Sequence, residues 1–105
     1  MLPEYKEIQI PLLRELARRG GQSKPSDKRM GKSIYDALAD YFKLTEADLD
    51  REVFESTNET YRSKWKNMVR FARKDLVKKG LIDNSERGVW RLTESGRIEA
   101  GLNMP

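Results

Sequence analysis

Residues 61–80, from Tyr61 to Gly80, constrain the fold of this chain more than any other stretch. At 100° per residue, Tyr61, Trp65, Met68, Val69, Ala72 and Leu76 fall within one stripe about 100° wide. The same twenty residues carry Arg62, Lys64, Lys66, Arg70, Arg73, Lys74, Lys78 and Lys79 against only Asp75, a net charge of +7. The other 85 residues hold 13 basic and 16 acidic side chains, a net of −3, with an acidic run over 46–59. A helix of this kind must bury its stripe against other elements and leave its opposite face in water. With residue 65 placed at 0°, Arg62, Ser63, Lys66, Asn67, Arg70, Arg73 and Lys74 span about 60° to 200°, clear of the stripe. Five of those seven are cations and none is an acid. Solvated helix faces ordinarily mix signs, and like charges at i,i+4 repel by about 0.2–0.5 kcal/mol per pair. This arc is therefore built to meet a polyanion.

The rest of the chain supplies what the stripe packs against. Ile8, Leu12, Leu13, Leu16 and Ala17 recur at helical spacing over residues 3–19. Pro11 interrupts them, which predicts a short turn before it and the better helix from Pro11 to the stop at Gly20-Gly21. Residues 21–32 read as a loop. A second helix follows over about 32–43, with Ile34, Ala37, Leu38 and Tyr41 on one face and Phe42 beside them. Thr45 and Asp48 have capping-box spacing and open a short turn expected to bury Leu44 and Leu49. Val53 and Phe54 return the chain to the core, and the polar stretch 56–60 offers N-caps for a third helix over 61–79. Gly80 suits the position just past its end. The period then changes. Leu81-Ile82 and Val89-Trp90-Arg91-Leu92 flank the turn Ser85-Glu86-Arg87-Gly88, a short hairpin with Trp90 and Leu92 on one face. Thr93 to Gly96 end the strand and open a last helical turn. Both tryptophans share a phase with aliphatic core residues and read as packing groups.

Composition narrows the chemistry. With no Cys and no His, disulfides, thiolate or imidazole metal sites and imidazole-based triads are excluded. No acidic pattern matches a metal loop. Glu4-Tyr5-Lys6 has the letters of half a nuclease site, but no strand precedes it. The chain reads as non-enzymatic, with no metal and no cofactor. No run approaches the roughly 18–20 apolar residues of a membrane span, and no signal peptide opens the chain, so the expected compartment is the cytoplasm.

Helix, helix, helix, hairpin in one small domain is the order of a winged helix-turn-helix, a mainly α fold with a small β-hairpin. In helix-turn-helix folds the recognition helix lies in the DNA major groove and its N-terminal part meets base edges. The wheel therefore assigns Ser63, Lys66, Asn67 and Arg70 to bases, Asn67 suiting the N6/N7 edge of adenine. Arg62, Arg73 and Lys74, with Arg87 and Arg91 of the wing, are assigned to phosphates.

The order of residues also carries a resemblance. Ile10-Pro11-Leu12-Leu13-Arg14-Glu15-Leu16, Ala37-Leu38-Ala39-Asp40 with Leu44-Thr45-Glu46, Asn67 to Leu76 with Lys79-Gly80-Leu81-Ile82, and Arg87 to Arg97 resemble the N-terminal domain of Mrr-like restriction system proteins over residues 3–97. Phe71 stands where Trp is usual, read as a packing swap. The loop at 22–31 is longer and more basic than the family pattern. The resemblance implies a winged-helix reader of double-stranded DNA, methylated or not, belonging to a type IV-like restriction endonuclease that cleaves modified DNA. Residues 98–105 then read as a linker to a C-terminal nuclease domain absent from this chain. Two other readings stand beside it. One is a stand-alone winged-helix transcriptional regulator. The other is a module whose basic face binds an acidic protein surface.

Overall fold

The computed structural model describes residues 2–28, 31–55 and 60–102. The first helix, α1, runs unbroken from Tyr5 to Arg18 with Pro11 inside it, not from Pro11 onward as expected. An interior proline costs about 3 kcal/mol. Here Ile8, Leu12, Leu13 and Leu16 are all fully buried on the face that Pro11 shares, and their packing offsets the lost hydrogen bond. The α1 helix is the central post, packing against the other three long helices and the sheet.

A two-residue strand, β1 (Gln22–Ser23), follows in the segment expected to be all loop. The second helix, α2 (Ile34–Tyr41), begins at Ser33, whose hydroxyl accepts from the Asp36 amide. Its buried face is Ile34, Tyr35, Leu38 and Ala39. That face is rotated from the expected one. Tyr35 points inward, and Tyr41, 51% exposed, stacks edge-on against Phe42 at the surface. The short α3 (Glu46–Leu49) carries the expected Thr45–Asp48 capping box, but Leu49 is exposed, because one turn is too short to turn it toward the core.

Between α3 and the third long helix the chain makes a hairpin that the periodicity did not foretell. Strands β2 (Glu52–Glu55) and β3 (Thr60–Ser63) pair antiparallel, with Glu52 opposite Ser63 and Glu55 opposite Thr60. Tyr61 and Arg62 are thus strand residues, and their side chains lie outside the described part of the structure, as do the proposed N-caps at 56–59. The helix α4 runs from Lys64 to Lys78, starting three residues later than expected. Its N-cap is Ser63, whose hydroxyl accepts from the Lys66 amide at 3.2 Å. Trp65, Val69, Ala72 and Leu76 are buried as the stripe requires. Gly80 takes the left-handed φ of 75° that ends such a helix with least strain.

Strands β4 (Ile82–Asp83) and β5 (Trp90–Leu92) form the expected wing hairpin, with Trp90 and Leu92 both buried. With β1 they make a three-stranded antiparallel sheet in the order β1-β5-β4. The architecture is mainly helical with a small antiparallel sheet, compatible with a winged helix. The last element, α5 (Glu94–Leu102), is a nine-residue helix where one turn was expected. It runs through 98–102, which had read as linker, and seats the fully buried Ala100 against the core; residues 103–105 lie outside the described residues. Gly96 is not a terminator. A Cβ there would stand 2.0 Å from the Leu81 carbonyl oxygen, so its smallness lets α5 close onto the start of the wing. Among the described residues, no helix is long and apolar enough to cross a membrane.

A polar clasp joins α1 to α4. Gln9, 6% exposed, donates to Asp75 at 2.6 Å and accepts from Lys79 at 2.8 Å, and Lys79 lies 3.2 Å from the same carboxylate. The hydrogen bond from Lys79, then that from Gln9, holds the Asp75 carboxyl below its ordinary pKa. A depressed carboxylate contributes stability that is present above its ordinary pKa and lost as pH falls through the lower folded one. Thermal melts taken from about pH 5 downward should therefore show a shallower acid loss for Asp75→Asn than for the parent chain. In denaturant unfolding, Trp65→Ala should cost about 3–5 kcal/mol, since the indole is 2% exposed at the centre of the core.

Candidate nucleic-acid interface

The exposed side of α4 is set by the same wheel that buries its stripe. Lys66 and Lys74 are exposed, and Asn67, Arg70 and Arg73 are half-buried. The half-burial has a cause that spacing along the helix does not disclose. Lys66 Nζ lies 5.4 Å and the Arg70 guanidinium 5.5 Å from the centre of the Tyr35 ring. Arg73 stands over Trp90, 5.6 Å from its ring centre. Tyr35 and Trp90 themselves meet edge to face at 6.0 Å. Cations over aromatic rings gain about 0.5–2 kcal/mol each, more where water is excluded. Tyr35 is thus a member of the site, invisible in the sequence because α2 alone does not reveal which ring the arc will rest on.

Arg70 also donates to Asn67 Oδ1 at 3.2 Å, so these two candidate base readers act as a pair. The hydroxyl of Ser63, another candidate, caps α4 by accepting from the Lys66 amide. Arg73 Nε is buried with no hydrogen-bond partner among the described residues, as is Nε of Arg14, which stands over Tyr41. A buried donor left unpaired costs about 1–3 kcal/mol.

Between α4 and the wing lies an open cleft of about 550 Å³. Arg70, Arg73, Tyr35 and Trp90 line it from one side, the wing turn 84–88 from the other, and Pro25 closes an edge. Arg87 is exposed on that turn. Gly88 holds φ at 79°, the left-handed value the tight turn needs. The wing's second arginine is placed differently. Arg91 donates to Gln22 Oε1 at 2.7 Å and to Glu86 at 3.2 Å, with Asp83 at 3.9 Å. It ties β1, β4 and the turn together. Asp83 in turn accepts from the Ser85 amide at 2.8 Å and from its hydroxyl at 3.0 Å, and these bonds lower its pKa. Phe71, expected to pack, is 55% exposed on the flank of α4 beside Tyr5, Lys74 and Lys78.

The fold thus brings Arg70, Arg73 and Arg87 around one cleft, extends the basic face beyond it to Lys66, Asn67 and Lys74, gives Ser63 a capping bond, and ties Arg91 to Gln22 and the wing's own acids. Arg91→Ala should accordingly speed amide exchange across residues 84–89 far more than across α1, as measured by hydrogen–deuterium exchange.

The family model described as the Mrr N-terminal domain matches residues 5–99, nearly the whole chain. That family is a restriction-system-associated N-terminal domain and not a catalytic one. No curated protein and no solved structure matches the chain.

Proposed function

We infer that this chain, which belongs to the Mrr N-terminal domain family, is a winged-helix module that binds double-stranded DNA and serves as the targeting part of a modification-dependent restriction endonuclease. The observation that carries the reading is the acid-free cationic arc of α4, opening onto a cleft whose far wall is the wing. In this reading α4 enters the major groove. Its N-terminal residues Lys66, Asn67 and Arg70 meet base edges, while Arg73, Lys74 and the wing's Arg87 hold phosphates. Arg70 and Arg73, each with its guanidinium over an aromatic ring, offer their remaining N–H groups to the paired acceptors of a phosphate or of guanine O6/N7. Arg91 acts in this reading through the wing's rigidity, in place of the phosphate contact its sequence position suggested.

The test is a set of fluorescence-anisotropy titrations against labelled duplexes, methylated and unmethylated, at several salt concentrations. With Arg73, Lys74 and Arg87 holding phosphates at about −0.9 each, log K against log salt should slope at about −3 or steeper. A slope near zero would overturn the reading and favour a module for acidic protein surfaces. Arg73→Ala, Lys74→Ala and Arg87→Ala should each weaken all duplexes alike and flatten the slope by about one unit. Asn67→Ala and Arg70→Ala should change which duplex is preferred, by about 1–3 kcal/mol per lost base contact. Because the two share a hydrogen bond, the double variant should lose less than the sum of the singles.

A further inference from the structure

Of the basic loop between β1 and α2, whose described residues are 24–28 and 31–33, only Pro25 has so far entered the interface, at the edge of the cleft. Its course is fixed by Arg19. That side chain is only 3% exposed, and its Nε pairs with Glu15 at 2.9 Å. One terminal nitrogen donates to the Asp27 carbonyl at 2.9 Å and the other to the Lys32 carbonyl at 2.6 Å. A single buried guanidinium thus spans both limbs of the loop from the end of α1. Two backbone bonds add to the hold, Asp27 to the Lys24 carbonyl at 3.1 Å and Ile34 to the Pro25 carbonyl at 3.0 Å. Loops are ordinarily the more mobile parts of a fold; the described limbs of this one, 24–28 and 31–33, are fastened.

Topology says where it is fastened. β1 runs antiparallel to β5, with Ser23 opposite Trp90, the first residue of that strand. It therefore delivers the loop at the end of the sheet where the wing turn lies. Pro25 lines the same cleft as Arg70, Arg73 and that turn. Lys24 and Lys28 are exposed, and neither has an acidic partner among the described residues, whereas Lys32 is paired with Asp40.

We propose that this loop is a second DNA-contacting arm, in which Lys24 and Lys28 meet backbone phosphates across the cleft from the wing and Arg19 positions them. The proposal rests on the duplex-binding reading above. Lysine suits such an arm, because a compact charge on a flexible stem neutralises a phosphate without demanding a fixed geometry. Arg19 itself is too deeply buried to touch DNA, so its part is to hold the limbs of the loop in place.

The test uses the whole chain and the same duplex titrations. Lys24→Gln/Lys28→Gln should flatten the salt slope by about two units, at about 0.9 per released phosphate, with an unchanged melting temperature. Arg19→Lys keeps the charge but loses the fork that reaches two carbonyls at once. It should lose part of the same slope even though Lys24 and Lys28 remain. An unchanged slope in the double variant, with the parent chain still at about −3 or steeper, overturns the arm and leaves the duplex reading intact. A parent slope near zero overturns the duplex reading itself. Should Arg19→Lys lower the melting temperature while leaving the slope alone, Arg19 is a fold residue only and its positioning role is overturned.

Discussion

The indole N–H of Trp65 donates to the backbone carbonyl of Tyr35 at 2.9 Å, in the buried centre of the protein. Much else depends on that bond. It registers α4 against the first turn of α2, and so decides which ring of α2 lies beneath the basic face. Phe42 packs edge-on against the same indole at 6.0 Å, and the Tyr35 ring meets Trp90 of the wing at the same spacing. The two pairs link α2 to the helix that carries the arc and to the hairpin beside it. Lys66, Arg70 and Arg73 then lie on the outer surface of this aromatic layer. Core and interface are two sides of one layer, so a change in the packing of Trp65 reaches the cations without touching them.

The sequence was most legible where periodicity and burial agree. The stripe of α4 identified Trp65, Val69, Ala72 and Leu76 as core, and the alternation of the wing did the same for Trp90 and Leu92. Gly80 stood where a helix end needs it. The misreadings have a common cause. Pro11, the face of α2, the hairpin of β2 and β3 and the length of α5 are all settled by partners distant in sequence. Pro11 is tolerated because its neighbours are sealed on α1. Gly96 resembles a strand terminator until the Leu81 carbonyl is seen against it.

The candidate interface divides along the same line. The cationic arc was readable from spacing, because sign and phase are local properties. What each charge is doing was not. Arg91 and Arg87 are four residues apart on one hairpin, and their letters are equivalent. One is woven among Gln22, Glu86 and Asp83, and the other stands exposed at the turn. Ser63, expected at base edges, also caps α4 through its hydroxyl oxygen. Arg19, at the end of the first helix, carried no signal in the spacing and is the buried fastening of a loop. Charge counts locate a face, while hydrogen bonds decide which of its members are available to a ligand.

The seating of Lys66, Arg70 and Arg73 on Tyr35 and Trp90 has a thermodynamic consequence. Long cationic side chains each hold about 2 kcal/mol of rotamer entropy, and a freely moving one gives it up when it is fixed on a ligand. Here the rings already restrict three such side chains in the free protein. Their ordering is borne during folding, by the same aromatic layer that fills the core. Association with a polyanion would then begin from a surface that is stiff as well as charged, and the free energy of counterion release would go largely into binding rather than into stilling the protein.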